Sequence, residues 1–234
     1  MKYLVLTILI AVFTPLIISS AYPGDKGKTL SGADVLITSR MDLIRGKRLG
    51  IVTNHSALLS NGAHLVDTLF HTKDVKISAL FGPEHGIRGN APDGAKVESG
   101  RDANTGIQVY SLYGKINKPT KEMLKDVDVL IYDIQDVGAR FYTFISTLFY
   151  TVQAGAENNI PVIILDRPNP ITGITADGPI RKEGLSSFVG IAPIPIMHGL
   201  TIGELAAMFN KSGMIGRNIK ANLTVVKMEN WQRD

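Results

Sequence analysis

The sequence contains no cysteine, which excludes a disulfide-stapled miniprotein, a thiolate-ligated zinc module and a cysteine nucleophile. It also lacks a strong charge of either sign. Lys and Arg total 25 against 21 Asp and Glu, a formal net charge of +4, and the basic residues are scattered. A dedicated nucleic-acid face concentrates such charge, so no nucleic-acid partner is expected. Three glycine-built signatures are missing as well: GxGxxG, GxxxxGK[ST] and GxSxG. A nucleotide phosphate cradle and a nucleophile elbow are therefore unsupported. HExxH is absent too, so a metal site would have to be gathered from Glu84, His85, Asp133, Asp136 and His198; no metal and no cofactor are expected. With 44% hydrophobic residues over 234 positions and no repeat or low-complexity stretch, the composition is that of a globular protein.

The amino terminus reads as an export signal over residues 1–21. Lys2 supplies a positive start, Leu4 to Ile18 is nearly unbroken apolar sequence, and Ser19-Ser20-Ala21 offers the small residues of a cleavage site. The apolar run is too short, with Pro15 inside it, to span a bilayer stably, and no basic stop-transfer flank follows closely. No membrane insertion is expected after cleavage, and the mature protein is expected to be secreted or periplasmic. Residues 22–32, polar and rich in Gly and Lys, read as a flexible lead-in.

Beyond it, apolar runs and amphipathic segments alternate. Strands are expected at Leu49–Val52, Val75–Phe81, Gln108–Leu112, Val127–Asp133, Pro161–Asp166, Ile194–Met197 and Leu223–Met228. Helices are expected at Ala63–His71, with Leu65, Leu69 and Phe70 inward, at Thr120–Lys125, at Phe141–Glu157, and at Ile202–Phe209 after a Thr201 N-cap. Fully apolar strands alternating with helices imply a sheet covered on both faces. The expected class is a doubly wound, mostly parallel, Rossmann-like α/β domain over 33–234.

In such sheets ligands bind beyond the carboxyl ends of the strands, at the switch point in strand order. Polar clusters stand at those ends: Asn54-His55-Ser56, Glu84-His85-Gly86, Asp133 with Asp136, Asp166-Arg167-Pro168-Asn169, and His198 after Met197. Each has an ordinary structural explanation. Asp136 and Asp166 suit helix N-caps, Arg167 suits a local ion pair, Asn169 between prolines suits a turn, and His55 and His198 suit hydrogen-bonded loop positions. Glu84 fits this explanation least, because its flanking Gly and Pro residues disfavour an immediate helix and favour a fixed, exposed loop. The Phe141–Tyr150 aromatics suit a helix packed on the sheet, except Tyr142, whose phenol lies close enough to Arg140 and Asp136 in sequence to reach a cleft.

Six blocks carry a family resemblance: Val52-Thr53-Asn54, Leu80–Gly89 (LFGPEHGIRG), Val109–Gly114 (VYSLYG), Asp133–Tyr142 (DIQDVGARFY), Asp166–Pro170 (DRPNP) and Pro193–Thr201 (PIPIMHGLT). They resemble, in order and over residues 33 to 234, the exo-β-N-acetylmuramidase family, long catalogued as a domain of unknown function. The resemblance implies a glycoside hydrolase that releases N-acetylmuramic acid from the non-reducing ends of peptidoglycan fragments. It also implies a Rossmann-like first domain, a smaller second domain and a cleft between them; this chain stops about where the first gives way to the second. By position, the family glutamate falls on Glu84 with His85 beside it. Asn54, Asp136, Arg140, Tyr142, Arg167, Asn169 and His198 become candidates for substrate contacts.

Glycoside hydrolysis ordinarily uses one protonated carboxyl group and one carboxylate. Glu84 suits the proton donor if burial beneath Phe81 and Pro83 raises its pKa. The second group is left open among Asp133, Asp136 and a residue beyond the chain. Arg140 or Arg167 suits the lactyl carboxylate of muramic acid, since a planar guanidinium pairs with it through two parallel bonds. The alternative from another class is a cell-wall saccharide-binding domain that holds the same sugar without cleaving it.

Overall fold

The computed structural model describes residues 27–92, 94–95 and 98–233, so the export segment expected over 1–21 lies outside the described residues. Leu30 pairs with Glu229 in an antiparallel bridge, with N–O distances of 3.0 and 3.1 Å. The fold therefore begins inside the stretch expected to be a flexible lead-in. Helix α1 (Gly32–Ser39) follows at once. It is set by a capping box in which Ser31 Oγ accepts from Asp34 N and the Asp34 carboxylate accepts from Ser31 N.

The remaining elements are a 3-10 turn at Met41–Leu43, β1 (Arg48–Thr53), α2 (Leu65–Phe70), β2 (Lys76–Gly82), β3 (Gly100–Arg101), β4 (Gln108–Ser111), β5 (Val129–Asp133), α3 (Thr143–Asn158), β6 (Val162–Leu165), α4 (Ile202–Lys211) and β7 (Leu223–Val226). They build one sheet in the order β3-β4-β2-β1-β5-β6-β7. Every pairing is parallel except that of β3 with β4. The six parallel strands thus run third-second-first-fourth-fifth-sixth, the order of a doubly wound Rossmann-like fold. The fold class expected from the sequence is the one found.

Strand alternation divides the core in two. Ile51, Leu80, Val129, Ile131, Ile163 and Leu165 pack with α1 and α2 on one face. Val52, Phe81, Leu130, Tyr132, Val162 and Ile164 pack with α3 and α4 on the other. Chain order reverses between β1 and β5, which are in register from Leu49↔Val129 to Thr53↔Asp133. The crevice above that pair is where this topology puts a site.

Three local expectations are corrected. Phe70 is exposed and packs edge-on against His71, because so short a helix buries a single stripe, here Leu65, Val66 and Leu69. Thr120–Lys125 forms successive turns instead of a helix. Ile194–Met197 is no strand; Met197 makes only isolated bridges with Ala139 and Asp177, since Pro193 and Pro195 remove the N–H groups that a ladder needs. The short antiparallel edge β3 and helix α1 were not expected.

Candidate active site

Glu84 stands just past β2 on a loop with an unusual backbone. His85 is left-handed (φ 69°), as are Gly86 and Gly89 (both φ 73°); for a histidine this conformation costs about 1–2 kcal/mol. Arg88 anchors the loop from behind. It makes paired bonds to Asp67 (2.7 and 2.9 Å) and to Asp102 (2.8 and 2.9 Å). The loop also meets the end of β1: a Cβ on Gly89 would lie 2.7 Å from His55 Nδ1, so the imidazole rests on bare backbone. His85 Nδ1 lies 3.1 Å from the Ala91 carbonyl.

The Glu84 carboxylate is half-buried and well supplied with donors. Its Oε2 accepts from Thr143 Oγ1 at 2.8 Å and its Oε1 from Gly94 N at 3.2 Å. Burial pushes its pKa up, but Thr143, the Tyr113 phenol, the Gly94 N–H and the nearby His85 together hold it below the ordinary glutamate value. This reverses the expected elevation: with these donors the group is a stable carboxylate and not a proton reservoir.

A second polar layer covers the ends of β1, β5 and β6. Asn54 Oδ1 accepts from Ser56 N and Oγ, and Ser56 Oγ accepts from Gln135 N at 3.0 Å, which ties the two switch-point loops together. Asp136 Oδ2 accepts from Gly138 N at 2.8 Å and from His198 Nε2 at 3.0 Å. His198 Nδ1 accepts from Leu200 N, which puts the ring proton on Nε2. Asp136, His198 and Asn54 are all buried. Asn54 Nδ2 and Asp136 Oδ1 have no hydrogen-bond partner among the described residues.

The two candidate arginines differ. Arg167 is buried and paired with Asp133 through bonds of 2.6 and 3.1 Å, with a third bond to the Leu58 carbonyl. Its guanidinium is committed to the fold, and so is the Asp133 carboxylate. Arg140 is half-exposed and donates through one nitrogen to the carbonyls of Pro179 and Ile194; it forms no ion pair among the described residues. Asn169 spends its side chain on Leu200 O, Ile171 N and Thr172 N, as its turn position suggests. Tyr142 immediately precedes α3, its half-buried ring edge-on to Phe144 at 4.9 Å.

The structure thus joins Glu84 to the start of α3, and Asp136 to His198. No hydrogen bond or ion pair links Glu84 to Arg140, Arg167 or Asn169 among the described residues. Asp133 and Asp136, the in-chain candidates for a second carboxyl group, are both buried in other pairings. Among the described residues, no three His, Asp or Glu side chains gather at metal-ligand spacing. Sequence reasoning missed Tyr113 and Thr143. Tyr113 lay inside a quoted block without a role, and a threonine opening a helix carries no signal beyond helix initiation. A groove of about 370 Å³ lies beside the loop, lined by His85, Asn90, Glu98, Arg101 and Asp102 among others.

Comparison with known proteins places this geometry in context. Residues 49–234 match the family model described as exo-beta-N-acetylmuramidase NamZ, N-terminal. The peptidoglycan beta-N-acetylmuramidase NamZ of Bacillus subtilis (strain 168) is 48% identical over 228 residues, covering 95% of this chain and 54% of the relative. Two crystal structures of DUF1343 family proteins from Bacteroides fragilis NCTC 9343 superpose with TM-scores of 0.81 and 0.75, at 45% and 37% identity. Each alignment covers 88% of this chain, and 51% and 53% of the respective structures. The chain spans about half the length of the relatives it matches.

Proposed function

The chain belongs to the N-terminal family of exo-β-N-acetylmuramidases, and from that premise we propose that it is the Rossmann-like part of a glycosidase with Glu84 as a catalytic carboxyl group. The substrate is a peptidoglycan fragment from whose non-reducing end N-acetylmuramic acid is released, and the protein works outside the cytoplasm. The observation that carries this reading is Glu84 itself. A half-exposed carboxylate sits at the carboxyl end of a central strand, on a backbone held in an unfavourable conformation and braced from behind by Arg88. Strain of this kind gathers at functional sites.

Arg140 is the guanidinium with donors left for the lactyl carboxylate that distinguishes muramic acid from N-acetylglucosamine. Such a charged contact is worth about 1.5–3 kcal/mol, enough to set preference between the two sugars without supplying the chemistry. Hydrolysis of a chromogenic N-acetylmuramide by the full-length protein, measured beside the matching N-acetylglucosaminide, tests the proposal. Preferential release from the muramide is expected. Binding of the muramide without turnover would transfer the assignment to a saccharide-binding domain.

A further inference from the structure

The groups around Glu84 come from three separate parts of the fold. Thr143 Oγ1 reaches Oε2 from the first turn of α3, at 2.8 Å. Gly94 N reaches Oε1 from the chain beyond β2, at 3.2 Å, and a backbone N–H can only donate. Tyr113, on the segment after β4, is near enough for its phenol to favour the charged carboxylate, but it makes no hydrogen bond to it. Helix α3 has no acidic residue in its first turn and no side-chain cap, so its positive end favours an anion where Thr143 holds one.

Tyr113 has its own support. Its ring lies 6.1 Å from that of Phe188, and Phe188 stacks on Tyr150 of α3 with centroids 6.3 Å apart and planes at 11°. Ser146 Oγ donates to the Phe188 carbonyl at 2.6 Å. Phe188 thus bridges the Tyr113 segment and the helix that carries Thr143.

We propose that Thr143 is a positioning residue that commits Glu84 to act as the carboxylate of the glycosidase pair, leaving proton donation to another group. This rests on the reading of Glu84 as catalytic. The titratable groups that face Glu84 among the described residues are Tyr113, from the segment after β4, and His85, on its own loop; α3 presents the non-titrating Thr143 and the 94 segment a backbone amide. Removing the Thr143 hydroxyl destabilises the anion. Glu84 then titrates at higher pH, and the acid limb of kcat/KM follows it.

The test uses the full-length protein and its Thr143→Val, Thr143→Ser, Tyr113→Phe and Glu84→Gln variants. Two quantities are read: the kcat/KM pH profile on a muramide glycoside, and the Glu84 carboxyl titration by carbon-13 NMR, identified as the signal lost in Glu84→Gln. Thr143→Val is expected to raise both the acid limb and the NMR midpoint by about one pH unit, with kcat falling more than KM changes, and Tyr113→Phe, which removes no hydrogen bond to Glu84, to move them less. Thr143→Ser restores the wild-type midpoint, which separates the hydroxyl from any effect on folding. An unmoved midpoint in Thr143→Val, in a protein that Glu84→Gln inactivates, would overturn the positioning role and leave the catalytic reading standing. Full activity of Glu84→Gln would overturn the catalytic reading and the proposal with it.

Discussion

Arg140 and Arg167 are the same side chain in two electrostatic settings. Arg167 is enclosed with Asp133 at 2.6 Å, so its removal leaves a buried, unpaired carboxylate. Arg167→Ala is expected to cost about 3–5 kcal/mol of stability, read as a lower denaturation midpoint, whereas Arg140→Ala weakens muramide binding with little effect on that midpoint. An Arg167→Ala protein of wild-type stability would refute the structural role. Glu84 teaches a related lesson. Its place in the GPEHG block was legible, and so was its partial burial, but the direction of its pKa was not. That direction depends on groups outside the GPEHG block, above all the Thr143 hydroxyl, which only the folded chain brings to it.

At the scale of elements, the six parallel strands were readable because β1, β5 and β6 are almost fully buried and largely apolar, while the run at 194–197 read as a strand although its prolines prevent one. The Thr201 cap was equally clear, and the structure adds the reciprocal bond from Thr201 N to Glu204. Thr201→Ala should therefore lower stability by about 1 kcal/mol, measured by chemical denaturation. What escaped was held by tertiary contacts. Helix α1 is short and rests on β6 and β7, and β3 is two residues long and exists only by pairing with β4. The Glu84 loop depends on another such contact, the Arg88 bridge. Arg88 holds the Asp102 and Asp67 carboxyls below their ordinary values. Their contribution is therefore full above the unfolded aspartate pKa near 4 and lost as pH falls through the lower folded values. Hydrogen exchange should show residues 82–91 losing protection in that acid range ahead of the central strands. Simultaneous loss in loop and strands would argue that the bridge does not act locally.

Over the whole molecule, the polar layer and the Glu84 loop share the carboxyl edge of the sheet. Phe141, Ile171, Ile174, Ile180, Leu185 and Val189, in the connections leading into α3 and α4, are each more than half exposed, an unusual concentration of exposed apolar side chains. Residues 27–233 produced alone are expected to self-associate, and Ile174→Ser with Leu185→Ser to reduce light scattering without lowering the denaturation midpoint. The central claim concerns chemistry at Glu84 and is tested most directly by measuring turnover and ligand affinity together on full-length wild type and Glu84→Gln. Glutamine keeps the size of the side chain and removes its charge. The account predicts a fall in turnover of about 10²–10⁴ with muramide affinity retained; unchanged turnover would contradict it and reduce Glu84 to a structural member of its loop.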